Sequence, residues 1–264
     1  MATILESNKS KIAKRVIEVF EYFDEDHDRA TVMDIVRRYG RPQSSTSELL
    51  VSLVEMGLLY KDSRARYYFP TPRIASLGLA AQPKIIRNGR LNEFMEDAAQ
   101  HGCAVALLGV VGVHAQIFHL CEGDLAKSSG LSCGSSELLS ASAAGLLLLS
   151  TEDEAQAERV LWRLNAEADA EHKFNHADMC ARVAHIRETG CAMGDAGFSP
   201  DLRCVSILVP CEKGQRPLAL SAFYSKDANI DADAIRLFLS DGLQSCMDGG
   251  SRDVMRPLLR VANG

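Results

Sequence analysis

Between residues 11 and 69 the chain strings together three short amphipathic segments, each closed by a helix breaker, followed by two aromatic-rich runs around a polar loop. Ile12, Val16, Val19, Phe20 and Phe23 recur at three- and four-residue spacings, the signature of one apolar helix face. The acidic run at residues 24–28 ends that segment. Thr31 and Asp34 then form a capping box, in which hydroxyl and carboxylate satisfy free amides of a first turn. Val32, Ile35, Val36 and Tyr39 supply the second buried face, and Gly40 is suited to a left-handed stop. After Arg41-Pro42-Gln43-Ser44, the pair Ser45 and Glu48 repeats the box and predicts the start of a third helix. Its stripe is Leu49, Leu50, Leu53, Val54 and Met56, with Gly57 at its end. Leu58-Leu59-Tyr60 and Tyr67-Tyr68-Phe69, either side of Lys61-Asp62-Ser63-Arg64-Ala65-Arg66, read as a β-hairpin.

Helix, helix, tight turn, helix and hairpin within about 60 residues describe a winged helix-turn-helix, whose third helix presents its N-terminal end to the DNA major groove. Residues 41–47 are the predicted leading edge. Arg41, Gln43, Ser44, Thr46 and Ser47 are the candidate DNA-binding residues there, because amide and hydroxyl side chains reach base edges or phosphates. Arg64 and Arg66 fall on the wing. Lys11, with Lys9, Lys14 and Arg15, is expected to meet phosphates from the first helix.

A net charge of −6 would ordinarily argue against nucleic acid as a partner. The charge is unevenly spread, however. Residues 1–80 hold 12 basic and 11 acidic side chains, a net of +1, against 17 and 24 in the remainder, a net of −7. Pro70, Pro72 and Pro83 punctuate the exit from the hairpin, with a short helical linker at 73–81, so the boundary is placed near residue 80. The expected domains are a DNA-binding domain at 1–80 and an effector-binding and dimerisation domain at 81–264.

The second part opens with an amphipathic stretch at Leu91, Phe94, Met95 and Ala98 that ends at Gly102. Strands are predicted at 103–111 and 114–121, with a third at 126–132. Helices are predicted at 136–149, 152–165 and 176–189, strands at 204–211 and 217–224, and a last helix at 230–248. Adjacent strand pairs with interposed helices make this an α+β module, an antiparallel sheet with flanking helices. The first ten residues lack the apolar core of a secretory signal, and the run from Cys103 to Val113 is too short to span a membrane. Eight cysteines without a Cys-x-x-Cys pair read as reduced thiols in a cytoplasmic protein. His172 and His176 have helical spacing but no carboxylate or cysteine set beside them, so no metal site is expected. Neither a Walker loop nor G-x-G-x-x-G occurs, and the expectation is of no cofactor and no catalytic centre.

Four segments resemble the IclR-type bacterial transcriptional regulators. These are the third helix from Ser44 to Leu59, the end of the wing and linker from Tyr67 to Gly78, the small-residue run Ser140-Ala141-Ser142-Ala143-Ala144-Gly145, and the stretch from Gly190 through Arg203-Cys204 to Ser221. The resemblance implies a dimeric regulator, a homodimer or dimer of dimers, bound to a double-stranded DNA operator. It also implies a GAF-like C-terminal domain that holds a small organic acid. By the same resemblance, the effector site would use Ala143, Ala144, Asp195, Leu202, Cys204 and Ser221, with Phe223 and Leu202 enclosing the apolar part of the ligand. Three positions depart from the family pattern: Glu48 stands where a basic residue is common, Leu146 where lysine is frequent, and Phe223 where a hydroxyl residue occurs. The capping box with Ser45 accounts for Glu48. The alternative reading is a ligand- or redox-sensing module that acts through protein partners, with Cys204 beside Arg203 as its reactive thiol.

Overall fold

The computed structural model describes residues 8–248 apart from 25, 63, 80, 81, 101, 122 and 213. The chain divides into two compact units that meet between Gln82 and Pro83.

The first unit contains α1 (Asn8–Glu21), α2 (Val32–Tyr39), α3 (Gln43–Glu55), β1 (Leu59–Lys61), β2 (Tyr68–Pro70) and α4 (Arg73–Gly78). The Thr31–Asp34 capping box forms as the sequence predicts, with Thr31 N donating to Asp34 Oδ2 at 2.8 Å. Those bonds hold the Asp34 carboxyl below the usual carboxylate range. Gly40 ends α2 at φ 62°, a left-handed conformation that glycine adopts without a Cβ penalty. β1 and β2 pair antiparallel, and Ala30 adds a bridge to Tyr68. Val19, Ala30, Ile35, Leu50, Leu53, Leu59 and Tyr68 form the core, so α1, α2, α3, β1 and β2 each contribute a buried residue to one small cluster. Ile12 lies outside it, 58% exposed.

The predicted start of α3 is corrected. The helix begins at Gln43, two residues before Ser45, and its cap is Pro42, with no side-chain cap bond. Pro42 fixes an extended φ and lacks an N–H, so the chain enters the helix directly behind it. Ser45 is therefore inside the first turn, where its hydroxyl donates back to the Pro42 carbonyl. Met56 sits at the C-cap and is 51% exposed.

The second unit is a six-stranded antiparallel sheet between two layers of helices. The strands are β3 (Ala104–Val111), β4 (His114–Cys121), β5 (Ser136–Leu138), β6 (Cys191–Asp195), β7 (Leu202–Val209) and β8 (Leu218–Ser225), in the order β5-β4-β3-β8-β7-β6. α5 (Lys84–Arg87), α6 (Arg90–Ala99) and α11 (Ala232–Asp248) cover one face, packed on Val105, Leu107, Val205, Ile207, Leu220 and Ala222. α7 (Asp124–Ser129), α8 (Ala143–Leu149), α9 (Glu154–Glu167) and α10 (His176–Thr189) cover the other, over Ala104, Ala106, Leu108, Cys204, Ala219 and Phe223. The alternation along each strand thus separates two apolar layers, as side chains of period two require.

Residues 124–129 form α7 where a third strand was predicted, and residues 136–138 form β5 where a helix was predicted. The β6 edge strand was not predicted. Its sequence, Cys-Ala-Met-Gly-Asp, carries little β propensity, and pairing with β7 supplies the order.

Candidate nucleic-acid interface and effector pocket

In the first unit, Gly40, Arg41 and Pro42 form the turn between α2 and α3. Ser44, Glu48, Val51, Ser52 and Glu55 are exposed on α3, while Thr46, Leu50 and Leu53 are buried. Gln43 and Ser44 are exposed at the leading end, and Ser47 is half-buried. Lys11 is exposed on α1, whereas Arg15 donates to Ser45 Oγ at 3.1 Å and ties α1 to α3. The side chain of Lys9 lies outside the described residues.

Two of the predicted contacts have other duties. Arg41 holds Glu18 on α1 through two bonds, Nε to Oε2 at 3.0 Å and Nη2 to Oε1 at 2.5 Å. Thr46 is 1% exposed, and its hydroxyl donates to the Pro42 carbonyl at 2.9 Å. Thr46 is thus withdrawn from the base-reading set, since a buried hydroxyl with its bond already made cannot reach a groove. Thr46 lies one turn before Leu50, so helical spacing puts it on the buried stripe rather than on the exposed face.

The wing is a tight turn. Asp62 Oδ1 accepts from Arg64 N at 2.8 Å and Ala65 N at 3.1 Å, and these bonds lower the Asp62 pKa. Arg66 takes φ 59°, the left-handed region that non-glycine residues seldom enter. Arg64 and Arg66 both stand exposed at the tip. Arg37 and Arg38, exposed on the last turn of α2, were missed in the sequence because a basic C-terminal turn reads first as a helix-dipole partner.

In the second unit the start of α8 faces β7 and β8. Ser142 caps the helix by accepting from Gly145 N at 3.0 Å. A Cβ on Gly145 would stand 2.4 Å from the Leu139 carbonyl oxygen, so only glycine lets the incoming chain pass so close to α8. Cys204 sits directly beneath, fully buried. Burial pushes its thiol up to about 11, against smaller opposing effects from Ser206 and from the nearby amides of Ala144 and Ala143. Ser206 and Ser221 share a hydrogen bond of 2.7 Å across β7 and β8, both fully buried. Leu202 and Phe223 wall this group, and Phe198 meets Phe223 edge-on at 5.9 Å between ring centroids.

Six of the seven expected effector residues therefore converge: Ala143, Ala144, Leu202, Cys204, Ser221 and Phe223. Asp195 joins them only through its backbone, whose carbonyl accepts from Cys204 Sγ at 3.8 Å; its side chain is exposed on β6 and forms an ion pair with Lys226 at 3.2 Å. Two residues that sequence reasoning missed belong to the neighbourhood. Ser206 is one, recognisable only once the β7–β8 register places it opposite Ser221. The other is Arg182 on α10, whose guanidinium lies across Gly194, with Nη2 2.9 Å from where a Cβ would project.

Cys204 is fully buried, and burial raises its thiol pKa, which disfavours the exposed thiolate that the alternative redox-sensing reading requires. His172 and His176 do not share a helix, because α10 begins at His176 and His172 pairs with Asp169 at 2.5 Å ahead of it. No nucleophile elbow is expected from the sequence reading, yet Gly130-Leu131-Ser132-Cys133-Gly134 has the G-x-S-x-G spacing of one. It lies in the turn between α7 and β5, not at a strand-to-helix junction, and Ser132 bonds Ser135 at 2.9 Å.

A winged helix with an exposed, hydroxyl-bearing α3, joined to a sheet unit with an enclosed polar cluster, defines a ligand-responsive DNA-binding regulator. The profile of the IclR helix-turn-helix domain matches residues 13–63, and that of the bacterial transcriptional regulator IclR C-terminal domain matches residues 89–227. The chain belongs to the IclR family of transcriptional regulators, with a DNA-binding helix-turn-helix and a C-terminal effector-binding domain. No curated protein matches it significantly.

Solved structures agree on the fold. An IclR regulator from Alicyclobacillus acidocaldarius is 20% identical with a TM-score of 0.57, the match covering 93% of this chain and 99% of that one. The Thermotoga maritima IclR is 18% identical, covering 93% and 99%, with a TM-score of 0.56. An IclR homologue from Microbacterium hydrocarbonoxydans, complexed with 4-hydroxybenzoate, is 17% identical, covering 90% and 100%, with a TM-score of 0.57. Among the described residues no helix is long and apolar enough to cross a membrane.

Proposed function

We propose that this regulator senses a small organic acid in its C-terminal domain and adjusts operator binding as a cytoplasmic homodimer or dimer of dimers. In this reading residues 1–80 bind DNA through Lys11, Gln43, Ser44, Ser47, Arg64 and Arg66, and residues 81–264 bind the effector and dimerise.

The observation that carries the effector class is the polar cluster inside an apolar layer, with the Ala143 and Ala144 amides, Cys204, Ser206 and Ser221 converging between α8 and the sheet. Amides and hydroxyls bind a carboxylate without requiring a buried cation. Leu202, Phe198 and Phe223 offer apolar surface for the rest of a compact ligand, and Arg182 supplies positive charge beside Ala143. The 4-hydroxybenzoate complex of the Microbacterium homologue supports an acid of that size. A ligand shifts operator affinity only by its differential affinity for two arrangements of the protein.

A thermal-shift screen with small aliphatic and aromatic carboxylates, including 4-hydroxybenzoate, tests the effector class. A binder raises the melting temperature with concentration, following RT ln(1 + [L]/Kd). Phe223→Ala, which enlarges the site, is expected to move the preference towards bulkier acids. No shift from any carboxylate overturns the reading. Mobility shifts on the DNA upstream of the protein's own gene test the other half. Arg64→Ala with Arg66→Ala should weaken binding and flatten its salt dependence, and a wild-type protein with no salt-sensitive DNA affinity refutes it.

A further inference from the structure

α3 offers DNA no positive charge. Its sequence, Gln-Ser-Ser-Thr-Ser-Glu-Leu-Leu-Val-Ser-Leu-Val-Glu, contains two carboxylates and no lysine or arginine. At 3.6 residues per turn, Ser44, Glu48, Val51 and Glu55 fall within about 60° of one another around the axis. All four are exposed, opposite buried Thr46, Leu50 and Leu53.

Glu48 lies in the N-terminal half of this face, one turn beyond Ser44. Its role as half of a capping box disappears with the helix start at Gln43, since α3 has no side-chain cap bond. Among the described residues no hydrogen bond or ion pair involves the Glu48 carboxylate, although Asp24, Asp34 and Asp62 in the same unit all have partners. It is an unpaired acceptor on the surface that a recognition helix turns towards the groove.

A carboxylate brought between two rows of phosphates is repelled unless a donor on a base edge meets it. Cytosine N4 is the major-groove donor suited to a carboxylate, while guanine offers only acceptors there. We infer that Glu48 is a specificity-determining residue, which reads cytosine N4 at one base pair of each half-site and rejects sites that place guanine or thymine acceptors in its path. The inference rests on α3 being the recognition helix of a DNA-binding regulator. It separates the tasks of the unit, with phosphate affinity from Lys11 and the wing arginines and discrimination from an acidic residue that contributes no general affinity.

Binding-site selection from a randomised duplex library, using the full-length protein, tests this. Wild type should enrich a C·G pair at a fixed position of each half-site. Glu48→Gln should convert that position to A·T, because a glutamine amide pairs bidentately with adenine N6 and N7. Glu48→Ala should lose preference at that position alone, by about tenfold, while gaining affinity for unrelated duplexes. Both variants lie on an exposed helix face, and unchanged circular dichroism melting would show intact folding. If wild type selects a site and both variants select the same one, the assignment of Glu48 falls while DNA binding stands. If wild type selects no sequence, the reading of α3 as a recognition helix falls as well.

Discussion

Arg41 separates a structural role from a DNA-binding one, because the two predict opposite results. Its guanidinium grips Glu18 through two hydrogen bonds, with the glutamate side chain 12% exposed and the arginine 35% exposed. A bidentate, charge-assisted pair of this kind contributes about 1.5–3 kcal/mol, and removing one partner leaves the other desolvated without compensation. Arg41→Ala is therefore expected to destabilise the first unit by about 2 kcal/mol, with Glu18→Gln close behind. The double variant should cost little more than either single one, a coupling of about 1.5 kcal/mol in a double-mutant cycle. Hydrogen exchange measured by mass spectrometry localises the effect. Amides of α1 and α3 should exchange about 30-fold faster in Arg41→Ala, since each tenfold corresponds to about 1.4 kcal/mol. DNA binding should keep its salt dependence. If exchange stays unchanged while the slope of log K against log salt falls by about 0.9, Arg41 holds a phosphate and the argument from its Glu18 pair is wrong.

Three further outcomes follow from local geometry. Gly145→Ala forces a Cβ to within 2.4 Å of the Leu139 carbonyl, so the second unit should lose about 2 kcal/mol or more, read by denaturation followed through Trp162 fluorescence. At pH 8 a thiol reagent should label exposed Cys133 and Cys211 in the native protein, while buried Cys103, Cys121 and Cys204, each held near 11, react only after denaturation. Asp34 titrates below its unfolded value of 3.8, so its contribution is complete above that pH and fades as pH falls through the lower folded value; Asp34→Asn should remove that part of the acid dependence of the first unit's stability.

The winged helix was legible because each of its signals is local. The Thr31–Asp34 box, the Gly40 stop and the aromatic runs around residues 61–66 each need only a few neighbours to be read. The start of α3 was misread because Ser45 and Glu48 satisfy the same local pattern as a true box, and the deciding constraint, Pro42 at the cap, lies outside that pattern. In the second unit the long strands showed in their apolar runs, whereas β6 and β5 depend on partners distant in sequence. The effector residues followed the same division. Ala143 and Ala144 are visible as a run of small residues, but the Ser206–Ser221 bond exists only through the β7–β8 register, and Asp195 could be placed only once β6 was seen as an exposed edge.

The charge asymmetry acquires a physical meaning from where the cations sit. The first 80 residues carry a surplus of only +1, too small for strong non-specific attraction to a duplex. Two of their arginines, Arg15 and Arg41, are engaged inside the unit, with Ser45 and Glu18. The exposed cations among the described residues of this unit, Lys11, Lys14, Arg29, Arg37, Arg38, Lys61, Arg64, Arg66 and Arg73, lie on other segments, and α3 itself has none. In the proposed dimer, the second copy on the same duplex multiplies affinity through effective concentration rather than new contacts. For that proposed dimer, spacing between half-sites matters as much as base sequence. In the same proposed assembly an effector needs no contact with DNA, because a small change in the separation of the two modules removes the advantage of binding both at once.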